Sequence, residues 1–294
     1  MLTNGLSSIA DQYTVFFFDL WGVTHNGKTP FPDTLDSFKN LKNKDKAVFL
    51  LSNAPRMPEP AITRLTEMGI DREYYHDLYT SGYECHLHLK DRPDSFYQNL
   101  GSKLYHIGPE RDCNLFKPLQ NYTTVENIDE ADFLLVTGTD AWDRTLESYQ
   151  EELDQAWARR LPLVCANPDK RVLHGDDTVI CSGAIAAKYK DMGGTIRQHG
   201  KPDPGVYETL HAIAKRTLNK DIDKSQILMI GDSLATDIAG ANAYGIDSLM
   251  VLSGIHGSDL LQNLAEPNQF QDKFDKLTEE YKSRPTYVME RVYW

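Results

Sequence analysis

Tyr13-Thr-Val-Phe-Phe-Phe18 runs directly into Asp19. Six β-branched and aromatic residues with no polar alternation read as a short strand buried on both faces. A carboxylate at the carboxyl end of such a strand stands where open parallel sheets bind ligands. The pattern recurs along the chain. Ala47-Val-Phe-Leu-Leu51 ends at Ser52-Asn53, Gln226-Ile-Leu-Met-Ile230 ends at Gly231-Asp232, and residues 246–252 end at Ser253-Gly254. Between these runs, residues 33–43, 58–68 and 234–244 read as helices, the last two stopped by Gly69 and Gly245 at the position after a helix that favours glycine. Strands alternating with helices predict an α/β fold with a doubly wound, Rossmann-like parallel sheet.

The middle of the chain carries strands of its own. Residues 103–107, 133–137 and 161–166 are apolar runs, and residues 143–159 read as a helix. The expectation is a second α/β domain inserted into the first: a discontinuous core of residues 1–81 plus 195–294 and an insert of 82–194. Ser81-Gly82 and Gly193-Gly194 mark the hinges. The aromatic segment 286–294 fits either an edge strand or a contact surface.

Acidic residues number 43 against 31 basic ones, a net charge of −12 over 294 residues. Such a surface repels nucleic acid and anionic lipid, so neither is expected as a partner. An anionic ligand would need local compensation from a cation, a lysine or backbone N–H groups. Cys85, Cys113, Cys165 and Cys181 match no CxxC or zinc spacing and read as buried thiols. The first dozen residues lack the basic and apolar regions of a secretory signal, and no apolar run approaches the roughly 20 residues that span a bilayer. A cytoplasmic protein is expected.

Four features fall at strand ends or helix starts: Asp19, Ser52-Asn53, Lys201 within Gly200-Lys-Pro-Asp-Pro204, and Asp232 with Asp237. Each alone has an ordinary explanation as a turn, a helix cap or a surface lysine. Together they suit phosphoryl transfer. A carboxylate can attack phosphorus and carry it. Mg²⁺ prefers one or two carboxylates plus phosphate and water. A lysine supplies a point charge for phosphate, and a hydroxyl with N–H groups at a strand-to-helix turn holds phosphate oxygens. The rest is positioning and electrostatics.

Phe16-Phe-Phe-Asp-Leu-Trp-Gly-Val-Thr24, Leu50-Leu-Ser-Asn53, Gly200-Lys-Pro-Asp-Pro204 and Gly231-Asp-Ser-Leu-Ala-Thr-Asp-Ile238 resemble the four motifs of the haloacid dehalogenase-like superfamily. The insert resembles the class IIA, C2-type cap of p-nitrophenylphosphatase-like and sugar- or nucleotide-phosphatase-like members, through Val136-Thr-Gly-Thr-Asp140, Ala166-Asn-Pro-Asp169 and Ser182-Gly-Ala-Ile185. The resemblance covers nearly the whole chain. It implies Asp19 as nucleophile and Mg²⁺ ligand, Asp232 as a further ligand, Asp237 as support for the metal, and the Trp21 backbone carbonyl as another ligand. Ser52 and the Asn53 N–H would bind phosphate and Lys201 would neutralise it. Asn167, Asp169, Ser182 and Gly183 would contact substrate from the cap. The implied activity is Mg²⁺-dependent hydrolysis of a small soluble phosphorylated metabolite, such as a sugar phosphate or nucleotide, through an aspartyl phosphate. Relatives often dimerise through the cap, so a homodimer is a further expectation, though the residues themselves carry no interface signal.

One position departs from the pattern. Phosphatases of this superfamily usually carry a second aspartate two residues after the nucleophile, which protonates the leaving group and then activates water. Here that residue is Trp21, whose indole donates a hydrogen bond but cannot shuttle a proton. His25, beside the Asn26-Gly27 hairpin signal, titrates in the right range, and a cap acid such as Asp169 is the other candidate. Relatives that cleave carbon–halogen bonds also lack this aspartate, but they do not use Mg²⁺, and both Asp232 and Asp237 are retained. The competing expectation is a phosphate- or metabolite-binding protein that has lost useful turnover.

Overall fold

The computed structural model describes residues 2–141, 143–174 and 177–294. In chain order its strands are β1 Val15–Phe18, β2 Ala47–Ser52 and β3 Asp77–Thr80. Next come β4 Lys103–Ile107, β5 Thr123–Thr124, β6 Phe133–Val136, β7 Leu163–Cys165, β8 Arg171–His174, β9 Asp177–Ile180 and β10 Ile196–Gln198. The last three are β11 Ile227–Gly231, β12 Asp247–Val251 and β13 Tyr287–Met289. The first and last groups form one parallel sheet in the order β13-β12-β11-β1-β2-β3. A second parallel sheet runs β10-β7-β6-β4-β5, and β8 with β9 forms an antiparallel hairpin.

The first sheet is buried on both faces, which is why its strands read as unbroken apolar runs. Phe16 and Phe18 point to one side and pack with Phe38, Leu41 and Leu65. Val15 and Phe17 point to the other and pack with Val206, Tyr207 and Leu210. Phe18 lies opposite both Ile230 and Leu50. The residues following these three positions therefore emerge along one carboxyl edge.

Several local readings change. The helix expected over 143–159 is confined to Gln150–Ala158, preceded by a short turn Leu146–Tyr149. The Tyr149 hydroxyl donates to Asp140 Oδ1 at 2.6 Å and Arg144 pairs with Asp140 at 3.3 Å. These bonds fold the stretch back as a loop, and Asp and Thr within it have weak helix propensity. The helix expected over 234–244 begins as a wide, π-type turn, Leu234–Ile238, before Ala239–Tyr244, a feature common at functional sites.

Neither expected hinge is a free loop. Ser81 and Gly82 open the helix Ser81–Asp91, capped by the Thr80 hydroxyl, which accepts from Tyr83 N. Gly82 serves close approach, since a Cβ there would lie 2.1 Å from Arg56 N. Gly193 and Gly194 end the helix Ser182–Asp191, and β10 then joins the second sheet. That sheet thus extends to Gln198, past the expected boundary at 194. Within segment 286–294, Tyr287–Met289 forms the edge strand β13, paired with β12. Among the described residues no helix is long and apolar enough to cross a membrane, and all four cysteines are buried and free.

Candidate active site

Asp19 leaves β1 at the carboxyl edge, 8% exposed, its N–H donating to Ile230 O at 2.9 Å. Its backbone oxygen accepts from the Thr24 hydroxyl at 2.7 Å, which fixes the turn that follows. Lys201, only 2% exposed, arrives from 182 residues away. Its Nζ donates to Asp19 Oδ1 at 2.6 Å, Asp237 Oδ1 at 2.6 Å and Leu51 O at 3.1 Å. Asp237 Oδ2 in turn accepts the Asp232 and Ser233 N–H groups at 3.2 and 3.1 Å. The wide turn at Leu234–Ile238 lets this side chain fold back on its own N-terminus. Asp232 Oδ2 accepts Ile255 N at 2.8 Å. Gly254 makes room for it, since a Cβ at 254 would lie 1.8 Å from that oxygen.

Asp19, Asp232 and Asp237 each present a carboxylate oxygen within 4.8 Å of the others. Hard oxygen donors this close suit a divalent cation such as Mg²⁺. Both oxygens of Asp237 are engaged, by Lys201 and by two N–H groups. Asp237 therefore orients the centre, and among the described residues Asp19 Oδ2 and Asp232 Oδ1 carry no hydrogen bond. Burial pushes the Asp19 carboxyl up despite the opposing pull of Lys201. Burial also pushes Asp232 well up, with Asp19 and Asp237 adding to it. Burial by itself would discharge Lys201, but Asp19 and Asp237 outweigh it and hold the ammonium charged. Three clustered acids with one lysine demand further positive charge.

Two adjoining recesses open on Asp19, of about 190 and 140 Å³. Both are smaller than the roughly 300–1,000 Å³ of drug-sized sites. Trp21, Gly22, Lys201, Asp232 and Ser253 line the first, with Asn26 from the hairpin. Ser52, Asn53, Arg56, Arg111, Asp112 and Asn167 line part of the second. Asp19, Trp21, Asp169 and Val172 border both. The Asn53 amide joins the pieces: Oδ1 accepts Lys201 N at 2.8 Å, and Nδ2 donates to Lys201 O at 3.1 Å and to Asp169 Oδ1 at 2.8 Å.

The remaining sequence candidates separate. Asn167 lines the second recess, and its Oδ1 accepts Asp169 N at 2.9 Å. Ser182 and Gly183, expected to touch substrate, stand behind that turn. The Ser182 hydroxyl donates to Asn167 O at 2.8 Å, and Gly183 N donates to Asp169 O at 3.1 Å. Neither lines either recess, so they brace the turn. His25 also faces away. It is 7% exposed, lines neither recess, and its Nδ1 accepts Gly27 N at 3.0 Å. Burial, helped by Arg64, lowers its pKa to about 4. A neutral, engaged imidazole is a poor proton donor near neutral pH. Its ring meets Trp21 edge-on with centroids 5.6 Å apart.

Sequence reading missed Arg56, Arg111, Asp112, Arg171 and Val172, all lining the recesses. Arg56 follows Ser52-Asn53 closely enough to have been suspected. It pairs at 3.2 Å with Asp112, a carboxylate burial raises to about 6. Glu84 was missed too. It accepts Gly200 N at 2.9 Å and lies 3.3 Å from His199 Nδ1, bracing the residue before Lys201.

Two family models match the chain: haloacid dehalogenase-like hydrolase over residues 16–120 and HAD-hydrolase-like over residues 198–293. A solved haloacid dehalogenase-like hydrolase from Brucella suis superposes with a TM-score of 0.84 at 29% identity, covering 99% of this chain and 100% of that one. A 4-nitrophenylphosphatase from Schizosaccharomyces pombe is 27% identical, covering 92% of this chain and 94% of its own length. A glycerol phosphate phosphatase from Mycobacterium tuberculosis, solved with magnesium, superposes with a TM-score of 0.65 at 24% identity over 95% of this chain and 76% of that one. The two matched stretches carry all four motifs, the first two in residues 16–120 and the last two in residues 198–293, and the Brucella hydrolase matches the fold along nearly the whole chain: the chain belongs to the haloacid dehalogenase-like hydrolases, class IIA.

Proposed function

We propose that this hydrolase is a divalent-cation-dependent phosphatase that releases phosphate from a small soluble metabolite through an aspartyl phosphate on Asp19. The observation that carries the reading is the Lys201 ammonium, held 2.6 Å from both Asp19 and Asp237, with Asp232 completing the acid cluster. The naming of relatives as phosphatases supports it. The two recesses, small and partly closed by the insert, favour a compact substrate such as a sugar phosphate or nucleotide.

Asp19 would attack phosphorus through Oδ2, the oxygen that Lys201 does not engage. Ser52 and the Asn53 N–H, at the end of β2, would hold two phosphoryl oxygens, and Lys201 would offset their charge. Asp19, Asp232 and the Trp21 carbonyl would hold Mg²⁺, with Asp237 orienting the set. Bound there, the cation supplies charge neutralisation to the carboxylates and the phosphoryl group. We take the core as the first sheet with its helices and the cap as the inserted sheet, the chain returning to the core at 199–200. Buried free thiols fit a reducing, cytoplasmic setting.

The test is phosphate release from p-nitrophenyl phosphate with and without Mg²⁺, for the wild type and Asp19→Asn. Mg²⁺-dependent release lost in the variant is the expected result. Trp21 favours a second reading, a binder without turnover. Mg²⁺-dependent binding of phosphate with no release above the variant's background would establish that reading instead.

A further inference from the structure

With Trp21 at the usual acid's position, a phosphatase of this kind still has to protonate its leaving group and deprotonate water. The groups bordering the recesses can be taken in turn. Asp19 is the nucleophile and Asp232 belongs to the metal centre. Lys201 is locked between two carboxylates. Arginines do not release protons in this range. Burial holds the Cys181 thiol up at about 12. Asp112 borders only the second recess, and its carboxylate is paired with Arg56. Asp169 remains. It borders both recesses beside Asp19 and reaches in from the cap.

Its placement is specific. Oδ1 is held by Asn53 Nδ2 at 2.8 Å, the backbone N by Asn167 Oδ1 at 2.9 Å, and the backbone O by Gly183 N at 3.1 Å. Among the described residues Oδ2 takes no hydrogen bond. We propose that Asp169 is the proton donor and acceptor of this reaction, in place of the side chain that Trp21 does not supply. This rests on the phosphatase reading above.

In the first half, Asp19 bonds to phosphorus while the bond from phosphorus to the leaving oxygen breaks. The proton on Asp169 passes to that oxygen, which departs as an alcohol. In the second half, the Asp169 carboxylate takes a proton from water as the water oxygen bonds to phosphorus. The bond between phosphorus and Asp19 breaks, its electron pair returns to the Asp19 carboxylate, and inorganic phosphate leaves. Asp169 is again protonated. Burial raises this carboxyl to about 6, against the lowering effects of Lys201 and the Asn53 bond, and a group that both gives and takes a proton works best near the ambient pH. Because the acid sits on the cap and is aimed by a core amide, proton delivery requires the closed arrangement.

Asp169→Asn keeps an acceptor for Asn53 and removes the proton. The experiment compares single-turnover release of alcohol from glycerol phosphate with release of p-nitrophenolate from p-nitrophenyl phosphate, in Mg²⁺, for wild type and variant. The alkyl substrate should slow by about 10²–10⁴-fold. The aryl substrate, whose leaving group needs no proton, should slow less than about tenfold in its first turnover, with phosphoenzyme then accumulating. Adding Trp21→Asp to the variant should restore alkyl turnover. A parallel loss on both substrates without phosphoenzyme would overturn the proposal and leave Asp169 as a cap latch. Wild-type protein alone gives a second check: a steep dependence of first-turnover rate on leaving-group pKa would also overturn it. Failure of the wild type to release any phosphate would instead remove the phosphatase reading beneath it.

Discussion

Lys201→Met tests whether the buried centre behaves as one electrostatic unit. The ammonium lies 2.6 Å from each of two carboxylate oxygens, and its side chain is 2% exposed. At an effective dielectric of about 20, a unit pair at that distance attracts by roughly 6 kcal/mol. Two such contacts outweigh the several kcal/mol needed to desolvate the ammonium. Methionine fills most of the lysine stem's volume, so the cavity contribution is small and the charge dominates. Removing one partner from a buried ion pair costs about 3–5 kcal/mol, and that loss is expected in urea unfolding at pH 8 with a chelator present. The cost should be partly recovered by Mg²⁺. With the lysine charge gone, the acid cluster is more negative by one unit and binds a cation more tightly. A site filled at a hundred times its Kd gains about 2.7 kcal/mol, so the Mg²⁺-dependent gain should be larger in the variant than in the wild type. A loss under about 1 kcal/mol, with equal Mg²⁺ gains in both proteins, would refute the reasoning.

Gly254→Ala should weaken the metal centre without altering a ligating atom. The new methyl would stand 1.8 Å from Asp232 Oδ2 and 2.4 Å from its Cβ, so the aspartate must move, and Mg²⁺ affinity measured by calorimetry should fall about 10–100-fold; unchanged affinity would count against Asp232 as a ligand. His106, which stands behind Thr137 of the second recess, supplies a pH test. Burial lowers its pKa to about 4, against about 6.5 when unfolded. The unfolded chain therefore binds the proton first, and stability present above pH 6.5 is lost as the pH falls towards 4. His106→Gln keeps a partner for the Thr137 hydroxyl, 2.9 Å from His106 Nε2. It should flatten the fall in unfolding free energy between pH 6 and 4.5 by about 1.4 kcal/mol per pH unit; parallel slopes in the two proteins would contradict this.

The motif residues were legible because a doubly covered parallel strand writes itself as a continuous apolar run and stops where the sheet edge meets the ligand. Asp19, Ser52, Asn53 and Asp232 are read from that punctuation alone. Lys201 is not, since a lysine near a helix start is ordinarily on the surface, and only membership of the ordered set singles it out. The cap was harder. Whether a residue in Ala166-Asn-Pro-Asp169 or Ser182-Gly183 faces the recess depends on a turn closed by side-chain-to-backbone bonds. Asn167 and Asp169 face inward, and Ser182 and Gly183 hold them there. The hairpin of β8 and β9 was missed because two four-residue strands carry too little pattern to separate from a loop. His25 was attractive on chemistry and position in sequence. Its burial beside Trp21, and the Gly27 N–H on its Nδ1, are tertiary facts that no local motif encodes.

Asn53 shows why an amide stands at the end of β2. Its oxygen must accept from Lys201 N, while its nitrogen donates to Lys201 O and to Asp169. A carboxylate there would meet the Asp169 carboxylate and the Lys201 carbonyl, two acceptors, with no hydrogen to offer. A hydroxyl would have one proton for two acceptors. Only a side chain with an acceptor and two donors on one plane satisfies all three bonds. The same amide thereby fixes the backbone of the lysine that neutralises phosphate and the cap acid that would move the proton. From the other side, Glu84 holds Gly200 N, so Lys201 is anchored at consecutive peptide groups by residues 31 positions apart that flank the entry into the inserted sheet. Closing the cap and positioning the lysine are consequently parts of one hydrogen-bonded arrangement.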